Sequence, residues 1–313
     1  MKKVFKIIGI IVLAIAILIA LLLLYLSKKP AVPEDYTSKV QTGGEIEAKY
    51  LAIGSHEVSY LEQAGMQDFK KFEIYYPSDI MNDAEGYPVV IYSNGTGIKA
   101  SKYQAVLKHL ASWGFIVMAT EEENSWNGFS SEMCLRLIIK LNETETVEGW
   151  NTNPFYKHVD LDNIGVSGHS QGGVGVINAA TENKHVSLIK AVFSASPTNL
   201  ALAEALMWDY DPSLISVPIF FVSSTGNSDE NLVVSGTQLQ GIYSAVPNTV
   251  TKVMARRTNA DHGDMLSYAD GYMTAWFMWQ LKGDEDAAKA FVGANPEITS
   301  NELYTDQQIQ HSN

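Results

Sequence analysis

The stretch Asn163–Gly173, NIGVSGHSQGG, joins a short apolar run to a glycine-flanked serine and continues into small residues through Ala180. It reads as a buried strand, Ile164 to Ser167, that stops abruptly where a helix begins. Ser170 then sits on a strained strand-to-helix turn, its hydroxyl pushed into open space. The glycines follow from that geometry, because Gly168 and Gly172 occupy positions where a side chain would crowd the turn or the next strand. Gly173, Gly175, Ala179 and Ala180 let the helix pack close to the sheet, and its first N–H groups and dipole aim at the serine.

Working outward, the chain alternates strand and helix. Pro88 to Ser93 (PVVIYS) is a continuous apolar run of the kind covered on both faces, followed by a glycine-containing loop and a helical pattern from about Lys102 to Trp113. Phe115 to Thr120 is the next such strand, then a helix near Ser130 to Leu141. Beyond the serine come strands at Leu188 to Phe193, Val217 to Val222 and Val250 to Ala255, and a long helix near Met265 to Leu281. This alternation predicts an α/β fold with a mostly parallel sheet, helices on both faces and chemistry gathered at the carboxyl ends of the strands. Ile46 to Leu61 and Phe69 to Tyr76 carry patterns that suit antiparallel strands at one side of that sheet.

The amino terminus differs from the rest. Ile7 to Leu26 is apolar apart from Gly9 and Tyr25, with Lys2, Lys3 and Lys6 before it and Lys28 and Lys29 after it. At about 1.5 Å per residue it would span a bilayer core of about 30 Å. A cleaved signal peptide is the competing reading, but the apolar region exceeds the usual ~7–15 residues and no small-x-small cleavage pattern follows. The expected layout is a cytoplasmic terminus over 1–6, an anchor over 7–26, a proline-containing tether over 27–45, and one catalytic domain over 46–313 displayed outside the membrane.

Composition narrows the chemistry further. With 313 residues and 46% hydrophobic content the chain can bury one large core. The five lysines of the first 29 residues leave 17 basic against 35 acidic residues on the remainder, a net −18, so nucleic acid is not an expected partner. The single cysteine, Cys134, excludes an intrachain disulfide and reads as a core residue on a helix. No metal or other cofactor is expected.

A serine hydroxyl needs a base that takes its proton during attack. In this chain order the acid and then the histidine follow the serine. His56, His109 and His158 precede it, His169 is the variable residue inside the turn and is expected to point elsewhere, His185 ends the helix, and His311 lies in a polar tail. His262, in Asn259–Asp264 (NADHGD), has the right position. The acid should follow an intermediate strand, where Asp229 is the choice and Glu230 its rival. Two backbone N–H groups are expected to face the developing oxyanion, those of Gln171 and Thr96. Trp126 and Trp208 are candidates for lining a substrate pocket, and Glu121, Glu122 and Glu123 lie at the active-site end of their strand.

Together, Tyr87–Gly97 (YPVVIYSNGTG), His109–Thr120 (HLASWGFIVMAT), Asn163–Gly173, the Asp229 loop and the Asp261–His262 loop resemble the α/β-hydrolases of the dienelactone hydrolase, chlorophyllase and cutinase-like polyester hydrolase type. The similarity covers about Phe72 to Leu281. It implies ester hydrolysis through an acyl-serine, with Ser170, Asp229 and His262 as triad and Thr96 with Gln171 as oxyanion hole. Two departures stand out: Asn94-Gly95 replaces the usual His-Gly or Pro-Gly, and Ala195-Ser196-Pro197 lacks the tryptophan with which polyester hydrolases wall their groove. The expectation is a serine ester hydrolase acting on a small-molecule or lipid-like ester. Acyl transfer by the same triad and a non-catalytic binding module of the same fold are the alternatives.

Overall fold

In the computed structural model, residues 29–65, 69–82 and 85–312 are described. The apolar run 7–26 and the terminus before it lie outside them. Among the described residues no helix is long and apolar enough to cross a membrane.

A nine-stranded sheet organises the chain. In chain order the strands are β1 (Val58–Gln63), β2 (Phe72–Pro77), β3 (Tyr87–Ser93), β4 (Ile116–Thr120), β5 (Val159–His169), β6 (Ile189–Ala195), β7 (Ile219–Ser224), β8 (Lys252–Arg257) and β9 (Tyr304–Gln310). Their spatial order is β1-β2-β4-β3-β5-β6-β7-β8-β9. The six strands from β3 to β8 run parallel, while β1, β2 and β9 are antiparallel additions at the two edges. From β3 the chain steps to β4 on one side and then to β5 on the other. A sheet that reverses its winding opens a crevice at that point, beyond the strand ends.

The predicted central strands all form, because strands covered on both faces are mostly apolar, although β8 also buries Lys252, Arg256 and Arg257. Val89 and Ile91 of β3 face one core with Met118, Val166 and Phe221, whereas Val90 and Tyr92 face the other with Phe193, Phe220 and Trp276. Helices cover both faces: α1 (Glu45–Leu51), α2 (Gln104–Ser112), α3 (Phe129–Glu143), α4 (Gln171–Ala179), α5 (Leu200–Ala205), α6 (Gly236–Ala245) and α7 (Asp270–Lys282), followed by the short α8 (Glu285–Ala288) and α9 (Glu297–Ser300). Cys134 is fully buried on α3.

Three expectations change. The first half of Ile46 to Leu61 is the helix α1, not a strand, and buries Glu47, Tyr50 and Leu51, the i, i+3, i+4 spacing of a helical face. The polar carboxyl end, read as a tail, contains β9, which pairs with β8 as an exposed edge. The part of the tether that is described, from Lys29, is not free chain. Val32 and Tyr36 are buried in the core, the Ala31 N–H donates to Lys102 O at 2.7 Å, and the Tyr36 hydroxyl donates to Asp270.

The acidic run after β4 is also structural. Glu121 accepts from the Ser101 N–H and hydroxyl at 2.9 and 3.0 Å, Glu122 takes the Lys70 N–H, and Glu123 pairs with Lys99 at 3.2 Å. Glu73 on β2 is fully buried. Burial, with the neighbouring Glu121 acid, pushes its carboxyl from 4.5 to about 7. Since the folded value exceeds the unfolded one, the protonated site favours folding fully below about pH 4.5, and that contribution is lost as pH rises through 7. Glu73→Gln should therefore leave the melting temperature unchanged at pH 5 and raise it at pH 8, by about 2–4 °C if the effect is ~1 kcal/mol. A difference in Tm that stays flat between those two pH values would contradict this.

Candidate active site

Ser170 lies between β5 and α4 with φ 59° and ψ −119°, a left-handed backbone that a side-chain-bearing residue adopts only under constraint. Its N–H is held by Ala195 O at 2.9 Å. The turn fits only because its neighbours lack side chains. A Cβ on Gly168 would lie 2.2 Å from Gly172 O, and one on Gly172 would lie 2.1 Å from Ser93 O at the end of β3.

Three loops meet the serine at the strand ends. A cavity of about 490 Å³ is lined by Ser170, His169, His262, Gly95, Thr96 and Ile98 among others. The loop after β3 is pinned by Asn94, whose side-chain amide donates to Thr120 O at 2.7 Å and Glu122 O at 2.5 Å. The Tyr103 hydroxyl donates to its side-chain oxygen. Asn94 is thus an anchor beneath the loop, and Gly95 with Thr96 forms the wall. Gln171 opens α4, where the first N–H groups have no intrahelical acceptor. Its side chain faces inward and accepts from the Ser125 N–H at 2.9 Å.

Asp229 begins a single π turn after β7, closed by the Val234 N–H on Asp229 O at 2.9 Å. Its carboxylate is completely buried, and four donors converge on it. Oδ1 meets His262 Nδ1 at 2.7 Å, while Oδ2 accepts from the Ser196 hydroxyl at 2.7 Å, the Ser224 N–H at 2.8 Å and the Ser224 hydroxyl at 2.6 Å. Burial alone would raise its pKa, but the bonds from His262, Ser224 and Ser196 outweigh it and hold the carboxyl below the usual range. Asp229 stays charged, so the ring nitrogen that meets it, Nδ1 of His262, is the donor in that bond. The rival acid is turned away: Glu230 pairs with Arg256 and is half exposed.

The histidine loop is built by Asp261. Its carboxylate accepts from the His262 N–H at 2.8 Å and from the Ser228 N–H and hydroxyl, both at 2.9 Å, which fastens the His262 loop to the Asp229 loop. Those bonds, the His262 N–H first, hold the Asp261 carboxyl below its ordinary value. At Gly226 a Cβ would lie 2.4 Å from Ala260 O, so the two loops touch backbone to backbone. Among the described residues no hydrogen bond ties down the Ser170 hydroxyl; such bonds commonly tighten only when substrate is present.

Two readings of the sequence are revised here. His169 does not point away from the site. Its Nε2–H donates to His262 O at 2.8 Å and the two rings lie 4.5 Å apart at 38°. Burial, followed by the charge of His262, pushes its pKa down to about 3, so it stays neutral beside His262. Trp126 and Trp208 do not line the cavity. Both are half-buried against the core on one sheet face, and Asn178 of α4 donates to Trp126 O at 2.8 Å and Asp209 O at 3.0 Å, bracing that helix. Ser196 and Ser224, the donors that hold Asp229, carry no sequence motif; only their position at the ends of β6 and β7 marks them.

A curated relative, the bis(hydroxyethyl) terephthalate hydrolase of Streptomyces coelicolor (strain ATCC BAA-471 / A3(2) / M145), is 24% identical over 191 residues, 60% of this chain and 54% of the relative. The chain thus spans about half the length of that relative. A family model described as PET hydrolase-like matches residues 37–308, nearly all of the described sheet and every loop of the site, and the chain belongs to that PET hydrolase-like family.

Proposed function

We propose that the protein is a carboxylic ester hydrolase working through an acyl-serine, with Ser170 as nucleophile, His262 as base and Asp229 as its partner. The observation that carries this reading is the buried Asp229 carboxylate on Nδ1 of His262, which lines one cavity with the strained, half-buried Ser170.

In this reading His262 Nε2 takes the Ser170 proton as Oγ attacks the ester carbonyl. The negative oxygen of the tetrahedral intermediate is received by the N–H groups of Gln171 and Thr96. Collapse expels the alcohol, which leaves with the proton from His262. Water then repeats the sequence on the acyl-serine and releases the acid. Asp229 stabilises the imidazolium without taking its proton.

The cavity suits small esters, within the size range of ordinary small-molecule sites. The relative's printed activity makes bis(hydroxyethyl) terephthalate a natural probe. The position after β6 where the sequence lacks tryptophan is filled by Ser196, bonded to the triad acid, which favours a small ester over a polymer chain. The apolar run Ile7 to Leu26 with Lys2, Lys3 and Lys6 before it supports a membrane anchor with the catalytic domain outside.

Asp229→Asn should lower kcat on p-nitrophenyl butyrate and on bis(hydroxyethyl) terephthalate by about 10⁴, through loss of the correct histidine tautomer. Glu230→Gln should stay within about twofold, because a half-exposed pair contributes little. The reverse result would move the acid role to Glu230. Protease added to intact cells should remove the domain, and full protection would contradict its external placement.

A further inference from the structure

The residue lining the cavity mouth that is most remote in sequence is Ala31. It belongs to a strap, Lys29–Tyr36, that crosses the rim of the site and is fastened at several points. The Ala31 N–H donates to Lys102 O at 2.7 Å, and Lys102 Nζ donates to Lys29 O at 3.0 Å. Val32 is buried in the core. Further along, the Tyr36 hydroxyl reaches Asp270, which also faces His109 Nδ1 at 2.8 Å, and the Tyr36 ring meets the His109 ring edge-on at 6.1 Å. With Val32 and Tyr36 both buried, the strap cannot swing on a flexible leash.

The apolar run ends at Leu26, five residues before Ala31. A fully extended chain covers at most ~3.6 Å per residue, so no more than about 18 Å separates the end of that run from the cavity mouth. Ile98 and Leu266 are the other aliphatic residues of the cavity lining, which also includes Thr96 and Asp264. Leu200, 42% exposed, opens α5 after β6, and Leu232, 64% exposed, lies in the π turn after β7, both beyond the carboxyl ends of their strands. Charge does not bring this surface to a bilayer. The remainder of the chain carries −18, and attraction or repulsion fades over a Debye length of about 8 Å. Chain length does.

We infer that the Lys29–Tyr36 strap is a working wall of the catalytic cavity and holds its mouth at the membrane surface, so that the substrate is an amphiphilic ester drawn from the bilayer rather than from bulk water. The inference rests on the ester-hydrolase and membrane-anchor readings above. It adds a substrate class, and it makes Ala31 a residue that determines which acyl or alcohol group enters.

The test uses the full chain reconstituted in phosphatidylcholine vesicles, with p-nitrophenyl palmitate partitioned into the bilayer and p-nitrophenyl acetate in the water. A twenty-residue Gly/Ser spacer placed between Leu26 and Ser27 leaves the strap docked but moves the mouth off the surface by about 25 Å on average. Hydrolysis of the palmitate ester should fall about tenfold, with acetate turnover within twofold. Equal palmitate rates with and without the spacer would overturn membrane delivery, as would acetate turnover without any palmitate turnover. If the unmodified chain cleaves neither ester, the ester-hydrolase reading fails instead. In the second arm, Ala31→Trp should raise KM for palmitate at least fivefold with Tm unchanged, and an unchanged KM would remove the strap from the substrate wall.

Discussion

The structure depends on the backbone of one residue. Ser170 is held at φ 59° and ψ −119°, a conformation that costs on the order of 1–3 kcal/mol and persists only where its surroundings over-determine it. They do so from three sides. Ala195 O holds the Ser170 N–H, the end of β3 sits where a Gly172 side chain would be, and Gly172 O sits where a Gly168 side chain would be. The same packing that forces the turn brings the ends of β3, β5 and β6 together, so the loops after them arrive at one place. The strain and the assembly of the site have a common cause.

Asp229 and His262 are joined less by their own contact than by what grips each of them. Asp229 is a buried carboxylate, which is stable as an anion only because four donors are aimed at it. Two come from Ser224 at the end of its own strand and one from Ser196 at the end of the neighbouring strand. Asp261 then ties the His262 N–H to Ser228, one residue before Asp229. His169, neutral and buried, takes the His262 carbonyl from the nucleophile's side. The His262 loop is therefore fixed to both the Asp229 loop and the elbow, the preorganisation that the proposed chemistry requires.

Much of this was legible in the sequence, for definite reasons. Strands covered on both faces are mostly apolar, so β3 to β8 announce themselves, and a serine between glycines at a strand end marks the elbow. The order of Asp229 and His262 along the chain followed from the order of the strands. Features set by tertiary contacts alone were not legible. Glu47 breaks the apolar pattern of α1, yet it is buried against Arg257 at 3.2 Å, so a helix looked like part of a strand. The strap has the prolines and charges of a linker and buries only Val32 and Tyr36. β9 is a polar edge. His169 gave no sign of its role because its partner, His262, lies 93 residues away. The two tryptophans show the opposite failure: large aromatic residues near strand ends suggested a pocket, and both pack half-buried against the core instead.

The central claim is that Ser170 carries an acyl group in the course of turnover. A fluorophosphonate forms a stable covalent bond with a serine activated in this way, so intact-mass and peptide mass spectrometry of the treated protein tests it directly. The account predicts a single adduct, located on the peptide containing Ser170, absent in Ser170→Ala and formed far more slowly in His262→Ala. No adduct on the folded wild-type protein, or an adduct on another serine that survives Ser170→Ala, would contradict it.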